Sequence, residues 1–502
     1  MIKLIYRIES DYMSKKRMLI VTSVILSVVT ISLGIVKLYQ TYALSNYIGA
    51  DTDTGIDVYI NDDSYASIPA NGSSNVYYML TNTNPGTVKY GVAYQTTSGV
   101  TVKVYDTSED PATGTIEENG KKYIKLHLEN KNSTNKTIEL STVLGYENGG
   151  NLVVPSGVTL VTDTYTPPPA AAEYITKLYT DASKTTVKNN SITYNTAPSV
   201  SLMNDRLGGT TTSLDGGNIR YYGANPNNYI YFNCSDYSNQ SSSTCETWRI
   251  IGVFNGKLKI IRNESIGKYS LDNKNTSTGA ESANGKNDWT TARLMKLLNS
   301  SDYYTTDSHD NGLGQSLYWN SASGKCYSGS SNATVDCDFT STGIKNDATR
   351  NLISEETWNI GGWNSGSIYS NQIYEYERGT KVYSKRPTTW IGKISLAYPS
   401  DYGYAVDLSQ CTTKVSGYNA STCTSNNWMR AIITNNGGNS GWLLTPYSDS
   451  SAFAWTVIST GYVYNSNVVY NVLGVAPVLY LDSDLAMEPG DGTSTKPYQL
   501  SV

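Results

Sequence analysis

Six cysteines in three close pairs constrain this chain more than any other feature. Cys234 and Cys245, Cys326 and Cys337, and Cys411 and Cys423 have 10, 10 and 11 residues between them. Each interval is rich in Ser, Asn, Thr and Gly, which turn a chain readily. Six thiols allow 15 pairings in principle, but neighbour pairing needs only the shortest loops, so three local disulfides are expected. Each adds roughly 3 kcal/mol by restricting the unfolded chain, and such bridges persist in oxidising compartments, which implies export. Zinc is the rival use of the thiols; no CxxC pair is present, and the two histidines lie far from any cysteine pair. No metal and no cofactor is expected.

The run Met18–Val36 carries no charge and as a helix is roughly 28 Å long, close to the hydrocarbon thickness of a bilayer. Lys3, Arg7, Lys15, Lys16 and Arg17 precede it against Glu9 and Asp11, which keeps the N-terminus inside. The expectation is a cytoplasmic segment at 1–17, a transmembrane signal-anchor helix at 18–37 and an extracellular C-terminal ectodomain: a single-pass protein of the cell membrane. A cleaved signal peptide, with small residues at Thr41-Tyr42-Ala43, is the alternative.

At 502 residues and 39% hydrophobic content, the chain has room for several domains with real cores. Between 49 and 163, short alternating strands fall at Ile56–Ile60, Asn75–Leu80, Val88–Tyr94, Val100–Tyr105, Tyr123–Leu128, Thr137–Thr142 and Val153–Leu160, divided by Gly, Pro and Asn. That spacing predicts an all-β immunoglobulin-like sandwich. A Pro-rich linker and short helix follow at 164–183, with Pro167, Pro168 and Pro169 forming an extended spacer. Residues 184–502 hold every cysteine and every tryptophan.

Within this last segment, Trp248–Phe254 and Lys257–Arg262 flank Asn255-Gly256, which predicts a two-residue hairpin. Asp288 precedes Trp289–Leu298, with Leu294, Leu297 and Leu298 on one face, which predicts a capped helix. Strands at Trp442–Leu444, Ala454–Ser459, Thr460–Tyr464 and Gly474–Leu481 predict a closing β-meander.

The segments TWRIIGV, NDWTTARLMKLLN, PSDYGYA at Pro399–Ala405, GWLLTP at Gly441–Pro446 and GVAPVLYL resemble an α+β C-type-lectin-like domain. The resemblance is to the formylglycine-generating-enzyme superfamily and to membrane-anchored surface proteins of Firmicutes. The tail GDGTSTKPYQL resembles a terminal hairpin of such proteins. The final segment is also similar to the variable region of retroelement-diversified proteins, in which fixed scaffold residues alternate with a ligand-facing set. That resemblance implies a binding surface made by Tyr447, Ser448, Asp449, Ser450, Ser451, Phe453, Tyr462, Tyr464, Asn465, Asn467, Tyr470 and Asn471. The count of 42 Tyr against 4 Phe suits such a surface, since tyrosine offers rigid contact area with a hydroxyl. Tyrosine standing in for phenylalanine on half-wet strands accounts for it equally.

Other chemistries find little footing. His127 alternates with apolar residues on an expected exposed strand face, and His309 sits between Asp307 and Asp310 in a polar loop. Glu355 and Glu356 read as the first turn of a helix capped by Ser354, and Glu375 and Glu377 as neighbours on one strand face. Formylglycine-type catalysis needs a reactive thiol, whereas each cysteine here has a close partner. Calcium-dependent sugar motifs are missing, Glu488-Pro489-Gly490 departing from them, and the acidic stretches lack an EF-hand pattern. A net charge of −5 with no basic stripe beyond the first residues argues against nucleic acid. The sequence thus reads as a non-enzymatic surface adhesin or receptor-like protein for a protein or glycan. The alternatives are a subunit of a cell-surface fibre or layer and, less favoured, a formylglycine-type enzyme.

Overall fold

The computed structural model describes residues 64–82, 85–145, 152, 154–208, 217–273, 285–300, 316–329 and 333–502. The chain divides into two compact units, Met1–Pro167 and Pro168–Val502.

In the first unit the strands are β1 (Ser64–Ile68), β2 (Gly72–Thr81), β3 (Val88–Gln95), β4 (Val100–Tyr105), β5 (Thr113–Ile116), β6 (Lys121–Asn130), β7 (Lys136–Gly145), β8 (Val158–Leu160) and β9 (Thr164–Tyr165). One sheet runs β1-β7-β3-β5 with β8 also beside β3, and the other runs β2-β6-β4-β9. Inward residues of both, among them Val76, Tyr78, Val92, Ile124, Leu126, Ile138 and Leu140, share one core, so the unit is a two-sheet β-sandwich. The expected strand at Ile56–Ile60 lies outside the described residues. Strands β1 and β5, SYASI and TGTI, carry too little apolar alternation to announce themselves.

His127 departs from its expected exposure, being only 6% exposed. The short strand β9 pairs parallel with β4 and lays the Tyr165 ring flat on the imidazole at 3.6 Å. Nδ1 of His127 lies 2.7 Å from Asn75 Oδ1, which also accepts from Tyr105 Oη. Burial holds the His127 pKa below its ordinary value despite nearby Glu129. It is a structural residue.

The second unit opens with α1 (Ala171–Asp181), whose Ala171, Ala172, Ile175 and Tyr179 are buried. Then come β10 (Thr185–Asn189), β11 (Ile192–Ala197), β12 (Leu202–Gly208), β13 (Gly217–Tyr221), β14 (Tyr229–Phe232), β15 (Glu246–Phe254), β16 (Lys257–Arg262) and β17 (Lys268–Tyr269). The middle holds α2 (Arg293–Leu298), β18 (Ser323–Tyr327), β19 (Ala333–Asp338), α3 (Asp347–Asn351), β20 (Glu356–Asn359), α4 (Ser370–Glu377), β21 (Thr389–Gly392), β22 (Ile394–Ser395) and α5 (Pro399–Tyr404). The end holds α6 (Ser421–Thr424), α7 (Trp428–Ile433), β23 (Gly441–Pro446), β24 (Phe453–Val457), β25 (Val463–Asn467), β26 (Leu473–Gly474), β27 (Val478–Tyr480), β28 (Ala486–Glu488) and β29 (Gln499–Ser501).

A nine-stranded sheet runs β10-β11-β12-β13-β15-β16-β27-β22, with β14 beside β15, and a five-stranded sheet runs β17-β26-β23-β24-β25. The predicted hairpin forms, with Phe254 opposite Lys257 and positive φ at Asn255 and Gly256. The tail forms the β28–β29 hairpin. The closing meander holds only for β23–β25. Beyond it, β26 joins β23 in parallel while β27 crosses to the other sheet beside β16. The linker is narrower than expected: Thr164–Tyr165 belongs to the first unit, while the Pro169 carbonyl already accepts from Met487 N in the second.

The α+β C-type-lectin-like expectation is corrected. The described residues are 40% strand and 13% helix, and the longest described helix has 11 residues. The NDWTTARLMKLLN pattern gives a single short helix because the chain before it is held by other partners. Asp288 turns back on Thr290, and the amide of Leu294 bonds the Leu271 carbonyl.

The single-pass topology is corrected as well. Met18–Val36 lies outside the described residues, and among these no helix is long and apolar enough to cross a membrane. An 11-residue helix extends roughly 16 Å, about half the hydrocarbon thickness.

All three neighbour disulfides are present, Cys234–Cys245, Cys326–Cys337 and Cys411–Cys423, and no cysteine is free. Cys411 and Cys423 are fully buried beside α6. Replacing both with serine is expected to cost about 3 kcal/mol in urea unfolding; a change below about 1 kcal/mol would show that the loop is held by packing alone.

Candidate ligand-binding site

The interior of the second unit holds a set of charges that no ligand can reach. Asp205 on β12, Arg220 on β13, Lys259 on β16 and Asp401 on α5 are each about 1% exposed or less. Arg220 pairs with Asp205 and donates to Asp401 Oδ1 at 2.8 Å, while Lys259 Nζ reaches Asp401 Oδ2 at 2.5 Å. Two cations and two carboxylates balance. Asp401 also accepts from the Tyr398 amide at 3.0 Å, capping α5. Burial works against the Asp401 carboxylate, but Lys259 and Arg220 outweigh it and hold its pKa below the usual range. Burial pulls Lys259 down to about 8.

Glu377, fully buried at the end of α4, accepts from the Ser400 amide at 2.8 Å and its hydroxyl at 2.5 Å. It lies in a helix, so the expected strand-face pair with Glu375 does not form. Glu356 begins β20 and pairs with Lys257, so the acids after Ser354 do not open a helix. His309, Asp307 and Asp310 lie outside the described residues. Among the described residues no cluster of His, Cys, Asp and Glu could hold a metal.

The residues expected to face a ligand separate into two kinds. Asp449, Tyr464 and Tyr470 are exposed, the two tyrosines by 53% and 56%. Tyr447, Ser450, Ser451, Phe453, Tyr462, Asn465 and Asn471 are half-buried. Ser448 and Asn467 are buried, and the Asn467 side chain caps the turn after β25 by accepting from Val469 N and Tyr470 N, each at 3.0 Å. The loop before β24 is fixed from behind. Asn287 Nδ2 donates to the carbonyls of Tyr447, Ser450 and Phe453 at 3.0, 2.7 and 2.8 Å. Trp363 stacks on Trp455 at 4.2 Å, Tyr447 Oη donates to the Asn364 carbonyl, and Asn364 Nδ2 holds Asp449 at 2.7 Å. Pairing of Phe453 with Asn467 and of Thr456 with Tyr464 joins that loop to β25. The result is a rigid, polar-aromatic edge.

A second feature was missed in the sequence. A cleft of about 550 Å³ opens beside β14, β15 and α7, lined by Arg249, Tyr229, Trp428 and Lys268 and by five asparagines, Asn225, Asn263, Asn435, Asn436 and Asn439. Arg249 is 4% exposed. Its guanidinium lies 3.7 Å from the Tyr229 ring centre and 4.9 Å from that of Trp428. Nε donates to Asn228 Oδ1 and Nη2 to the Pro226 carbonyl. It forms no ion pair with any described residue, and burial without a carboxylate pulls its pKa down to about 10. The available signal was a lone cation inside the apolar run WRIIGVF.

No family model matches the chain, and comparison finds neither a similar curated protein nor a similar solved structure.

Two measurements test the interior. Asp401→Asn leaves Arg220 and Lys259 short of a carboxylate and is expected to cost about 3–5 kcal/mol in urea unfolding; a loss below about 1 kcal/mol would refute the balance. Burial, reinforced by Asp401, pushes Glu377 from 4.5 up to about 7 against the opposing pull of Arg378 and Ser400. The folded state therefore keeps a proton that the unfolded chain releases, so this group costs stability as pH rises from about 5 to about 7, by about 3 kcal/mol at most. Glu377→Gln is expected to flatten that fall, and an unchanged slope across the same pH range would assign it to other groups.

Proposed function

We propose that this chain is a non-enzymatic binding protein whose disulfide-bonded second unit presents the edge around Tyr447, Asp449, Tyr462, Tyr464 and Tyr470 to a protein or glycan. The observation that carries the reading is the contrast between support and display. The loop before β24 is pinned from behind by Asn287 and the Trp363–Trp455 stack, while Tyr464 and Tyr470 stand more than half exposed. A rigid aromatic edge costs little ordering entropy when it meets a partner. The disulfides fit a protein working in an oxidising compartment. Catalysis draws no support from the acids, since Glu377 is sealed in the interior and Glu356 is spent on Lys257. All six cysteines are bridged, which leaves no thiol for formylglycine-type chemistry.

The test is saturable binding of the full chain to an immobilised panel of neutral glycans and folded proteins. A Tyr464→Ser/Tyr470→Ser double variant is expected to lose at least about tenfold in affinity, roughly 1.4 kcal/mol, with unfolding stability changed by no more than about 0.5 kcal/mol. Binding that survives the double variant intact would remove this edge from the function.

A further inference from the structure

The cleft beside β14, β15 and α7 lies apart from the aromatic edge and has its own chemistry. A buried guanidinium ordinarily has an acid within reach, because taking a charge out of water costs several kcal/mol unless it is paired. The second unit follows that rule elsewhere, with Arg220 on two carboxylates and Arg262 on Glu246. Arg249 has instead two aromatic rings, an amide oxygen and a carbonyl. These fix the guanidinium in place without neutralising it. Lys268 and Glu264, both exposed on the rim, offset each other, so the charge left over in the cleft is that of Arg249.

The remaining wall is built of side-chain amides. Asn435 and Asn436 follow α7 in left-handed conformations, with φ of 47° and 55°, a geometry that asparagine accepts readily. Tyr229 Oη donates to Asn225 Oδ1 at 3.1 Å, joining the aromatic side of the cleft to its amide side. Each primary amide offers donors and an acceptor together, the pattern that neighbouring hydroxyls on a ring satisfy. A peptide C-terminus would need an apolar slot for its last side chain, whereas the largest apolar groups of the lining, Tyr229 and Trp428, lie against the Arg249 guanidinium, which leaves Ala224, Ala431 and Ile432 for such a slot. At about 550 Å³ the cleft falls within the range of small-ligand sites.

We propose that this cleft binds an acidic sugar residue, its carboxylate paired with Arg249 and its hydroxyls met by the surrounding asparagines.

The experiment is calorimetric titration of the full chain with glucuronate, set against glucose, acetate, inorganic phosphate and tri-alanine. Glucuronate is expected to bind saturably and at least about tenfold more tightly than any of the others, gaining over glucose the charge-assisted contact with Arg249 and over the other anions the hydroxyl contacts with the asparagines. Arg249→Gln should abolish binding. Because that residue is buried and the variant can fail to fold, Lys268→Glu and Asn435→Asp provide the second reading. Both positions are exposed, and each places a like charge beside the carboxylate, so each should weaken glucuronate several-fold with unfolding stability unchanged. Equal binding of phosphate or acetate would reduce the cleft to an unselective anion site, and tighter binding of tri-alanine would make it a peptide-terminus site. Absence of saturation, or indifference to the rim variants, would also overturn the proposal. The Tyr464→Ser/Tyr470→Ser variant should bind glucuronate as the parent does, so failure of the aromatic-edge reading and failure of this one are separable.

Discussion

Asp401 is the point on which the second unit depends. One carboxylate accepts from Arg220 of β13, from Lys259 of β16 and from the backbone at the start of α5. It thereby joins two strands of the large sheet to the segment that packs against them. An uncompensated charge in this interior would cost several kcal/mol, and each partner is tolerable only because the others are present. The face of Arg220 that carries no acid lies 4.5 Å from the Phe254 ring centre and 4.9 Å from that of Tyr404, a further favourable contact for a desolvated cation. Such a core admits one arrangement of its strands, because any slip in register would strand a buried charge.

The tyrosine excess follows partly from the same interior. Tyr194, Tyr398, Tyr402, Tyr404 and Tyr418 are buried, and several use their hydroxyls to tie distant segments together: Tyr402 to the Gly461 carbonyl at 2.5 Å, Tyr418 to that of Gly403 at 2.9 Å. In the first unit Tyr90 does the same to Pro111 at 2.8 Å. A phenylalanine in these places would fill the volume and leave buried carbonyls short of a donor, at about 1–3 kcal/mol each. Composition therefore points two ways at once. Part of the tyrosine is structural cross-linking, and Tyr464 and Tyr470 are among the exposed tyrosines left for recognition.

What the sequence made legible were the features governed by local rules. The Asn-Gly hairpin, α1, the neighbour disulfides and five of the strands in the first unit follow from turn chemistry, alternation and loop length, all of which act over a few residues. The features that escaped depend on partners remote in the chain. His127 is buried under Tyr165, whose ring stacks on it, and beside Tyr105 and Asn75. Glu377 turns inward on a helix because Ser400 satisfies it there. The span of TWRIIGV reads as a plain core strand, whereas Arg249 within it is held by Tyr229 and Trp428 from well before and after. The helix expected at 289–298 shortened because Leu271 took one of its amides. Among the residues that the resemblance put on the ligand face, Tyr464 stands outward in the structure, but no local rule could show that the Asn467 side chain caps a turn.

The contrast between Arg220 and Arg249 gives the interior and the cleft a common logic. Both guanidiniums sit on adjacent strands of one sheet, and both lie against aromatic rings. Arg220 is closed off by two acids, so its charge is consumed in holding the fold, and no approach from outside could use it. Arg249 is fixed by neutral groups alone, beside an open cleft walled with amides. Neutral donors and acceptors can hold a guanidinium in one orientation, but they leave its field largely unscreened in a desolvated site. A fold that balances its charges so closely on the neighbouring strands, and leaves this one unbalanced at the wall of an open cleft, has placed there an attraction that an incoming anion can complete.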